Sequence, residues 1–360
     1  MRQGLPDGLE PETWIESATL RRIYADEQRR ARYPDLLAPS AGRSLLRRER
    51  AGSGLVSVAW RHGALTARQR AALGVFRLQQ FALCNWYEYP EIMKQRLLVD
   101  PMLAQCPNGT IHIVVGTQAD YRVLAYFCLQ SAPPLPDHDS LSDSLNGSLP
   151  GGIPRIGDRN RPLFPTEYDQ SGPEMLASLP ELAALPINRV FELTSLLSNR
   201  VVAAPFSFAA LIDGFFMMSC LARDTQMGID AIIGHVDGGA RRVVWRLGVP
   251  VLYAPLAPPI HSPQDVLWAK YVLEHGRFWP FVIATDDLRR HASWFARLDA
   301  TLDTDKSHLK RALVDLLGHP EPTRPLAFAS SVNNLASPYF WTDDPLFDHA
   351  KDREAEVSPL

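Results

Sequence analysis

The chain has 360 residues, of which 46% are hydrophobic and 21% are charged, a composition that supports a sizeable globular core. Its formal net charge of −3 excludes a general electrostatic attraction of the whole molecule to nucleic acid or to an anionic membrane. The first residues, MRQGLPDGLEPE, lack the apolar core of a secretion signal, and no stretch reaches the roughly 18 apolar residues that span a bilayer. We therefore expect a cytoplasmic protein with no membrane span and no nucleic-acid partner.

The cysteines are few and widely spaced along the chain. They form no C-x-x-C motif and no ligand cluster with histidine in the sequence. The four residues are Cys84, Cys106, Cys128 and Cys220. This spacing argues against a disulfide framework and a structural zinc, so we predict reduced, buried thiols and no metal site.

Arginines are concentrated near the start of the chain, in Thr19–Arg32 and Arg43–Arg50. These runs are typical of Arg-rich helix or coil, and we predict that residues 1–65 form a basic, helical N-terminal extension. A charge run of this kind is either a solvated helical face or a docking patch for an acidic partner, and both interpretations remain open.

The central part of the sequence, residues 66–260, contains the predicted sheet. Helical spacing of apolar residues predicts a helix over Thr66–Cys84 with Thr66 as its N-cap. Two β-branched and aromatic runs, Thr110–Gly116 and Tyr121–Leu129, predict an antiparallel hairpin. Residues 132–173 are rich in Pro, Gly, Ser and Asp, which predicts a long loop or lid.

Strands and helices alternate after this loop, a pattern that predicts a mixed sheet with flanking helices and an α+β fold. The predicted elements are a helix at Pro173–Leu182, a strand at Val190–Leu197, a helix at Phe208–Asp224, a strand at Ile229–Val236, a helix at Gly239–Leu247 and a strand at Val251–Ala254. Residues 261–360 are predicted to form a helical C-terminal extension with a Pro-rich tail. Its helices are expected at Gln264–His275, Asp286–Asp299 and Lys306–Leu317.

Three stretches carry a resemblance to a known family. PEMLASLPEL (Pro173–Leu182) leads into VFELTSL (Val190–Leu196), MGIDAIIGHVD begins at Met227, and RVVWRLGVPVLYAPLAPP begins at Arg242. In this order they resemble the GNAT-type N-acyltransferase superfamily, in its acyl-homoserine-lactone synthase-like and N-acyl amino acid synthase branch. The resemblance covers about half of the chain and implies an acyltransferase with a gap between two parallel strands, into which a pantetheine arm inserts.

Glu192 is the first candidate for catalysis. It is the one carboxylate in an apolar strand, where desolvation disfavours its charged form and shifts its pKa towards the range of a general base. The resemblance implies that Glu192 faces the reacting amine and that His235, at the end of the next strand, is a second acid or base. The alternative is a structural Glu192 paired with Arg189, Arg200 or Arg77.

The connector SNRVVAAPFS precedes a long helix, where the superfamily binds a pyrophosphate with backbone N–H groups. Arg200, Ala203, Ala204 and Ser207 are the predicted cofactor-binding residues. The connector lacks the family's glycines, which favours acyl-phosphopantetheine on an acyl-carrier protein over acyl-CoA as co-substrate, and no cofactor is predicted to be bound permanently. An acidic carrier protein would suit the Arg-rich N-terminal extension.

The resemblance also implies an acceptor site. Arg77 matches the family's arginine on the first helix, and the predicted substrate-binding residues are Arg77, Trp86, Glu88, Ser195 and Phe127. Synthases that use S-adenosylmethionine carry arginines where this chain has Ser195 and Cys128. We therefore predict an N-acyltransferase that moves an acyl group to an amine. The first alternative is an acyl-homoserine-lactone synthase, and the second is a non-catalytic protein that binds a carrier protein or an acylated ligand.

Overall fold

In the computed structural model, the residues described are 17–84, 92–93, 95–132, 183–202, 204–236, 252–253 and 279–318. They form one eight-stranded mixed sheet with helices on both faces, which confirms the predicted α+β fold. The strands are β1 (Leu46–Glu49), β2 (Leu55–Arg61), β3 (Ile111–Thr117), β4 (Val123–Ser131), β5 (Val190–Ser198), β6 (Ala231–Val236), β7 (Leu252–Tyr253) and β8 (Trp279–Ala284). Their order across the sheet is β1-β2-β3-β4-β5-β6-β8-β7.

The α-helices lie before, between and after these strands. They are α1 (Ser17–Arg30), α2 (Pro34–Leu37), α3 (Ala67–Leu83), α4 (Ala204–Arg223), α5 (Thr285–Arg290), α6 (Ala292–Leu302) and α7 (Lys306–Gly318). Thr66 caps α3 as predicted, since its hydroxyl accepts from the Gln69 N–H while the Gln69 side chain accepts from the Thr66 N–H. No helix among the described residues has the length and apolar character needed to cross a bilayer.

Two apolar cores lie on opposite faces of the sheet. One is formed with α4 and the C-terminal helices α5 to α7, and it includes Phe127, Phe215 and Met217. The other is formed with α1, α2 and α3, and it includes Phe76 and Tyr126. The strands β2, β3 and β4 are buried on both faces, which explains their long apolar runs.

The prediction of a purely helical N-terminal extension is wrong for β1 and β2. Leu46–Glu49 forms an edge strand whose charged side chains suit that position, and it pairs antiparallel with β2. Two arginines of this Arg-rich run form ion pairs with distant acids: Arg50 with Asp213 in the interior, and Arg48 with Asp299 in a partly exposed position. The sequence alone presents these arginines as solvent-facing charges, and for that reason the strand was missed.

The C-terminal extension is not purely helical either. Trp279–Ala284 is strand β8, which pairs antiparallel with β6, as its aromatic and β-branched residues allow. The helix predicted at Asp286–Asp299 is two helices, α5 and α6, which meet at His291. The helices predicted at Pro173–Leu182, Gly239–Leu247 and Gln264–His275 lie outside the described residues, and so does the loop predicted at 132–173 apart from its first residue.

Candidate active site

The parallel strands β5 and β6 separate part-way along their length. Their pairing runs from Val190↔Ala231 to Leu193↔Gly234 and stops there, although β5 continues to Ser198 and β6 to Val236. Beyond that point β6 stays paired with β8 on its other side, and β5 stays paired with β4. Among the described residues, the far half of β5 therefore has no strand partner on the β6 side, as the family resemblance implies for the thioester gap.

A bulge in β5 brings two predicted site residues to the same face of the sheet. Gln130 of β4 pairs with Glu192 and Cys128 pairs with Ser195, so the two β4 residues are two apart while their partners are three apart. Since residues two apart on a strand share a face, Glu192 and Ser195 share one as well. This face is the one that α3 covers, and Glu192 is only 2% exposed on it.

Arg77 of α3 is held in the interior below this face. Its Nε donates to Asp100 Oδ2 at 2.6 Å, and its Nη1 donates to the Tyr126 hydroxyl at 2.7 Å and to Ser195 Oγ at 3.3 Å. The guanidinium also lies over the rings of Phe81 and Tyr126. The structure brings the predicted site residues Arg77 and Ser195 together, with Asp100 and Tyr126 as partners that the sequence analysis did not find.

The same contacts set the protonation of the buried groups. Burial opposes the charge of Arg77, but Tyr126 and Asp100 outweigh it and raise the pKa of Arg77 well above its usual value. Burial raises the pKa of Tyr126 well above its usual value, with Arg77 acting against it. A charged Arg77 and a neutral Tyr126 hydroxyl are therefore the stable forms at neutral pH.

A His and Cys cluster lies beside Tyr126. The Tyr126 hydroxyl lies 2.8 Å from His112 Nδ1, and His112 Nε2 lies 3.0 Å from His62 Nδ1. The thiol of Cys106 approaches both imidazoles. The prediction that the chain lacks a Cys/His cluster is wrong for the folded molecule, because pairing of β2 with β3 joins histidines that are 50 residues apart.

Burial and the proximity of the Cys106 and Cys128 thiols shift the pKa values in this cluster. Burial and the neighbouring His112 lower the pKa of His62. A hydrogen bond between the two thiols raises the pKa of Cys106 and lowers the pKa of Cys128, and His112 and Arg77 add to the lowering at Cys128. The sequence contains one indication of this cluster. His112 lies between apolar residues of β3, and Tyr126 and Cys128 lie two positions apart, on one face of β4.

Phe127 is not brought together with the other predicted substrate-binding residues. It lies on the opposite face of the sheet, fully buried, with its ring edge-on to Phe215 of α4 at a centroid distance of 5.1 Å. Its position on β4 between Tyr126 and Cys128 requires this, since neighbours along a strand point to opposite faces. The structure therefore gives Phe127 a packing role against α4.

The connector after β5 already uses three of its backbone N–H groups. Arg200 N donates to Gln80 Oε1 at 3.0 Å, Val201 N to Asn199 Oδ1 at 3.1 Å and Val202 N to the Asn199 carbonyl at 3.4 Å. These three groups are therefore not open to a pyrophosphate. The Arg200 side chain reaches the Cys84 thiol on the protein surface, where it remains accessible to a phosphate.

The remaining predicted site residues lie in α4, in β6 or outside the described residues. Ser207 is buried in the first turns of α4, with its hydroxyl donating to backbone carbonyls of the connector, and Ala204 begins that helix. His235 lies on β6 just past the end of the β5 pairing, and the register places it on the face of Glu192. Ala203, Trp86 and Glu88 lie outside the described residues.

The arginines proposed as structural partners of Glu192 have other contacts. Arg189 forms an ion pair with Asp230 at 2.6 Å, Arg77 binds Asp100, and Arg200 reaches Cys84. Arg189 is thereby held just before β5, Arg200 just after it, and Arg77 beneath it. Glu192 itself lies between them, one residue before the strand pairing ends.

No family model and no curated protein matches the chain. Solved structures similar to it include TofI in a ternary complex with an inhibitor and MTA, at 17% identity over 70% of this chain and 98% of that chain, with a TM-score of 0.36. The AHL synthase LasI is 15% identical over 52% of this chain and 68% of that chain, with a TM-score of 0.28. A bacterial toxin is 12% identical over 66% and 95%, with a TM-score of 0.30.

Proposed function

We propose that the protein is an N-acyltransferase that moves an acyl group from a pantetheine thioester to an amine. The observation that carries this proposal is the separation of β5 from β6 after Leu193↔Gly234. Among the described residues the far half of β5 has no strand partner on the β6 side, and this edge offers backbone donors and acceptors to an extended amide-containing chain, as in other cases of strand addition. The pantetheine arm has this character, and its thioester would lie near Glu192.

Glu192 is the proposed general base. It takes a proton from the acceptor amine as the nitrogen attacks the thioester carbonyl, and the tetrahedral intermediate then releases the pantetheine thiol as the amide forms. His235, on the same face across the gap, is the proposed second acid or base and would return a proton to the departing sulfur. Arg77 and Ser195 lie further along this face and are proposed to bind the acceptor.

Glu192→Gln tests the catalytic role. The amide keeps the size of the side chain but cannot accept the proton, so we expect turnover to fall by about 10²–10⁴-fold while acyl thioester binding is retained. Steady-state rates with acyl-CoA or acyl-carrier protein and an amine panel provide the measurement. Glu49→Gln, on the edge strand, is the matched control and should leave the rate unchanged. Full activity in Glu192→Gln would remove Glu192 from the mechanism, and unfolding would make it structural.

The proposed donor is an acyl-carrier protein, with acyl-CoA as the alternative. Exposed arginines of α1 support a carrier protein, because an acidic partner would meet Arg21, Arg22 and Arg30 on one accessible helix. A thermal-shift panel with coenzyme A, acyl-CoA and acyl-carrier protein reads the donor directly, since a ligand that binds only the folded state raises the melting temperature. Silence from every thioester would favour the non-catalytic binding protein.

Acyl-homoserine-lactone synthesis is the second candidate. The observation that favours it is the hydrogen bond of Arg77, which matches the family's first-helix arginine in sequence, to Ser195 on the strand of Glu192. Ser195 and Cys128 stand where synthases that use S-adenosylmethionine have arginines, and the general transferase therefore comes first. An added thermal shift with S-adenosylmethionine, together with lactone product, would reverse this order.

A further inference from the structure

Three potential metal ligands converge beneath the edge of α3, on the sheet face of Glu192. They are His62, in the turn after β2, His112 of β3, and Cys106, which follows a short 3-10 helix. Their ligand atoms all lie within 4.8 Å of one another, and the two imidazole nitrogens are 3.0 Å apart. A tetrahedral zinc site places its nitrogen and sulfur ligands roughly 3.3–3.8 Å apart, so small side-chain movements suffice to form one.

The backbone around these residues is fixed before any metal binds. His62 N donates to the Thr110 carbonyl at 2.7 Å, and Gly63 N donates to the Asn108 carbonyl at 3.0 Å. The turn after β2 is thereby joined to the turn that leads into β3. Two of the three ligands are thus held by the β2–β3 ladder, and this rigidity favours a preformed site over a chance approach of side chains.

The outer hydrogen bonds are those of a metal-binding histidine. His112 Nδ1 lies 2.8 Å from the Tyr126 hydroxyl, which accepts from Arg77 at 2.7 Å. With Nδ1–H donating to Tyr126, the lone pair of Nε2 points to His62 and Cys106. Ligating histidines commonly donate their second ring N–H in this way, which fixes both tautomer and ring orientation.

Cys128 is the candidate for the fourth ligand, although it is not one of the three residues whose ligand atoms all lie within 4.8 Å of one another. It pairs with His112 across the β3–β4 ladder, on the same face. Two thiolates and two neutral imidazoles around Zn²⁺ have no net charge, so such a site adds no charge beside the buried Arg77. The two thiol protons are released to solvent when the metal binds, by way of the half-buried Cys106.

We propose that His62, Cys106 and His112, with Cys128 as the fourth ligand, bind one divalent transition metal of the zinc type. The ligand set of two nitrogens and two sulfurs fits Zn²⁺ and excludes Mg²⁺ and Ca²⁺, which require oxygen ligands. A site with four protein ligands is structural. It would tie the turn after β2 and the segment before β3 to β4 and hold Tyr126, and through Tyr126 it would position Arg77.

Metal content of the full-length protein is the first test. After growth with added zinc and removal of loose metal on a desalting column, mass spectrometry should find about one zinc per chain in the parent. Cys106→Ser and His62→Gln should each lose it. Cys220→Ser and His308→Gln are matched controls outside the cluster and should keep it. Equal loss in the controls, or a parent without zinc after reconstitution, would overturn the proposal.

Cobalt provides a readout that does not depend on the variants folding. Metal-free parent titrated with Co²⁺ should develop intense visible bands of a tetrahedral ion and a thiolate-to-cobalt band in the near ultraviolet. Tyr126→Phe should keep the spectrum but bind Co²⁺ about 10–100-fold more weakly, because it removes the partner of His112 Nδ1. A weak octahedral spectrum, or no thiolate band, would show that these residues form only a hydrogen-bonded cluster.

Discussion

The buried Arg77–Asp100 ion pair provides a test of what the loss of one partner costs in stability. The Asp100 side chain is fully buried and the Arg77 side chain is 6% exposed. Arg77 Nε lies 2.6 Å from Asp100 Oδ2. Asp100→Asn keeps the shape but removes the negative charge, so Arg77 is left charged in the interior. We expect a loss of about 3–5 kcal/mol in the free energy of unfolding, measured by urea denaturation.

A surface pair provides the comparison for that variant. Asp26 and Arg29 also lie 2.6 Å apart, but their side chains are 45% and 60% exposed. Water screens this pair, and Asp26→Asn should therefore cost only about 0–1 kcal/mol. If Asp100→Asn and Asp26→Asn lower the free energy of unfolding equally, burial does not determine how much the Arg77–Asp100 pair stabilises the protein. The placement of Arg77 beneath Ser195 would then need another explanation.

Glu192 could be found from the sequence and Asp100 could not. A carboxylate inside a run of nine strand residues stands out, because burial of an unneeded charge is costly. Asp100 lies in an irregular turn, 23 positions after its arginine, where an acid is ordinary. The histidine cluster was hidden for the same reason, since sequence spacing does not reveal which strands pair.

The contact between α4 and β4 depends on a residue without a side chain. A Cβ added at Gly214 would lie 2.0 Å from the ring of Phe127. Alanine normally stabilises a helix interior relative to glycine, by about 0.5–1 kcal/mol. Here the clash should outweigh that gain, and we expect Gly214→Ala to destabilise the protein by about 1–3 kcal/mol in urea denaturation.

A second substitution in the same helix separates the clash from helix propensity. Ser219 is fully buried in α4 and its hydroxyl donates only to the Phe215 carbonyl one turn earlier. Ser219→Ala should change the stability by about 1 kcal/mol or less. A stabilising Gly214→Ala would mean that α4 can move away from Phe127 and that this contact does not fix the position of the helix on the sheet.

Elements with a strong local pattern were predicted well, and elements that depend on distant partners were not. The α3 helix, its Thr66 cap and the β3–β4 hairpin follow from apolar spacing and turn chemistry within one segment. Strand β1 is charged along its length, and it is a strand only because β2 pairs with it. Strand β8 was missed because its partner, β6, lies far away in the sequence.

At the scale of the whole molecule, the N- and C-terminal parts belong to the same core. Arg50 follows β1, and its guanidinium contacts Asp213 in α4 at 2.6 Å and Asp299 in α6 at 3.0 Å. Ser57 of β2 donates to the same Asp213 carboxylate. The predicted boundaries at residues 65 and 261 therefore divide the sheet, and deletion of residues 1–65 would remove two strands along with any docking surface.

This central ion pair gives a test of how the parts are coupled. Arg50→Met leaves Asp213 charged in a fully buried position, and we expect a loss of about 3–5 kcal/mol in the free energy of unfolding. The double variant Arg50→Met with Asp213→Leu removes both charges and should recover much of that loss in urea denaturation. Arg47→Met, on β1 and in a partly exposed pair with Glu49, should cost about 0–1 kcal/mol. Additive costs in the double variant would mean that the two residues act independently, and the sheet would then hold the terminal parts together through apolar packing alone.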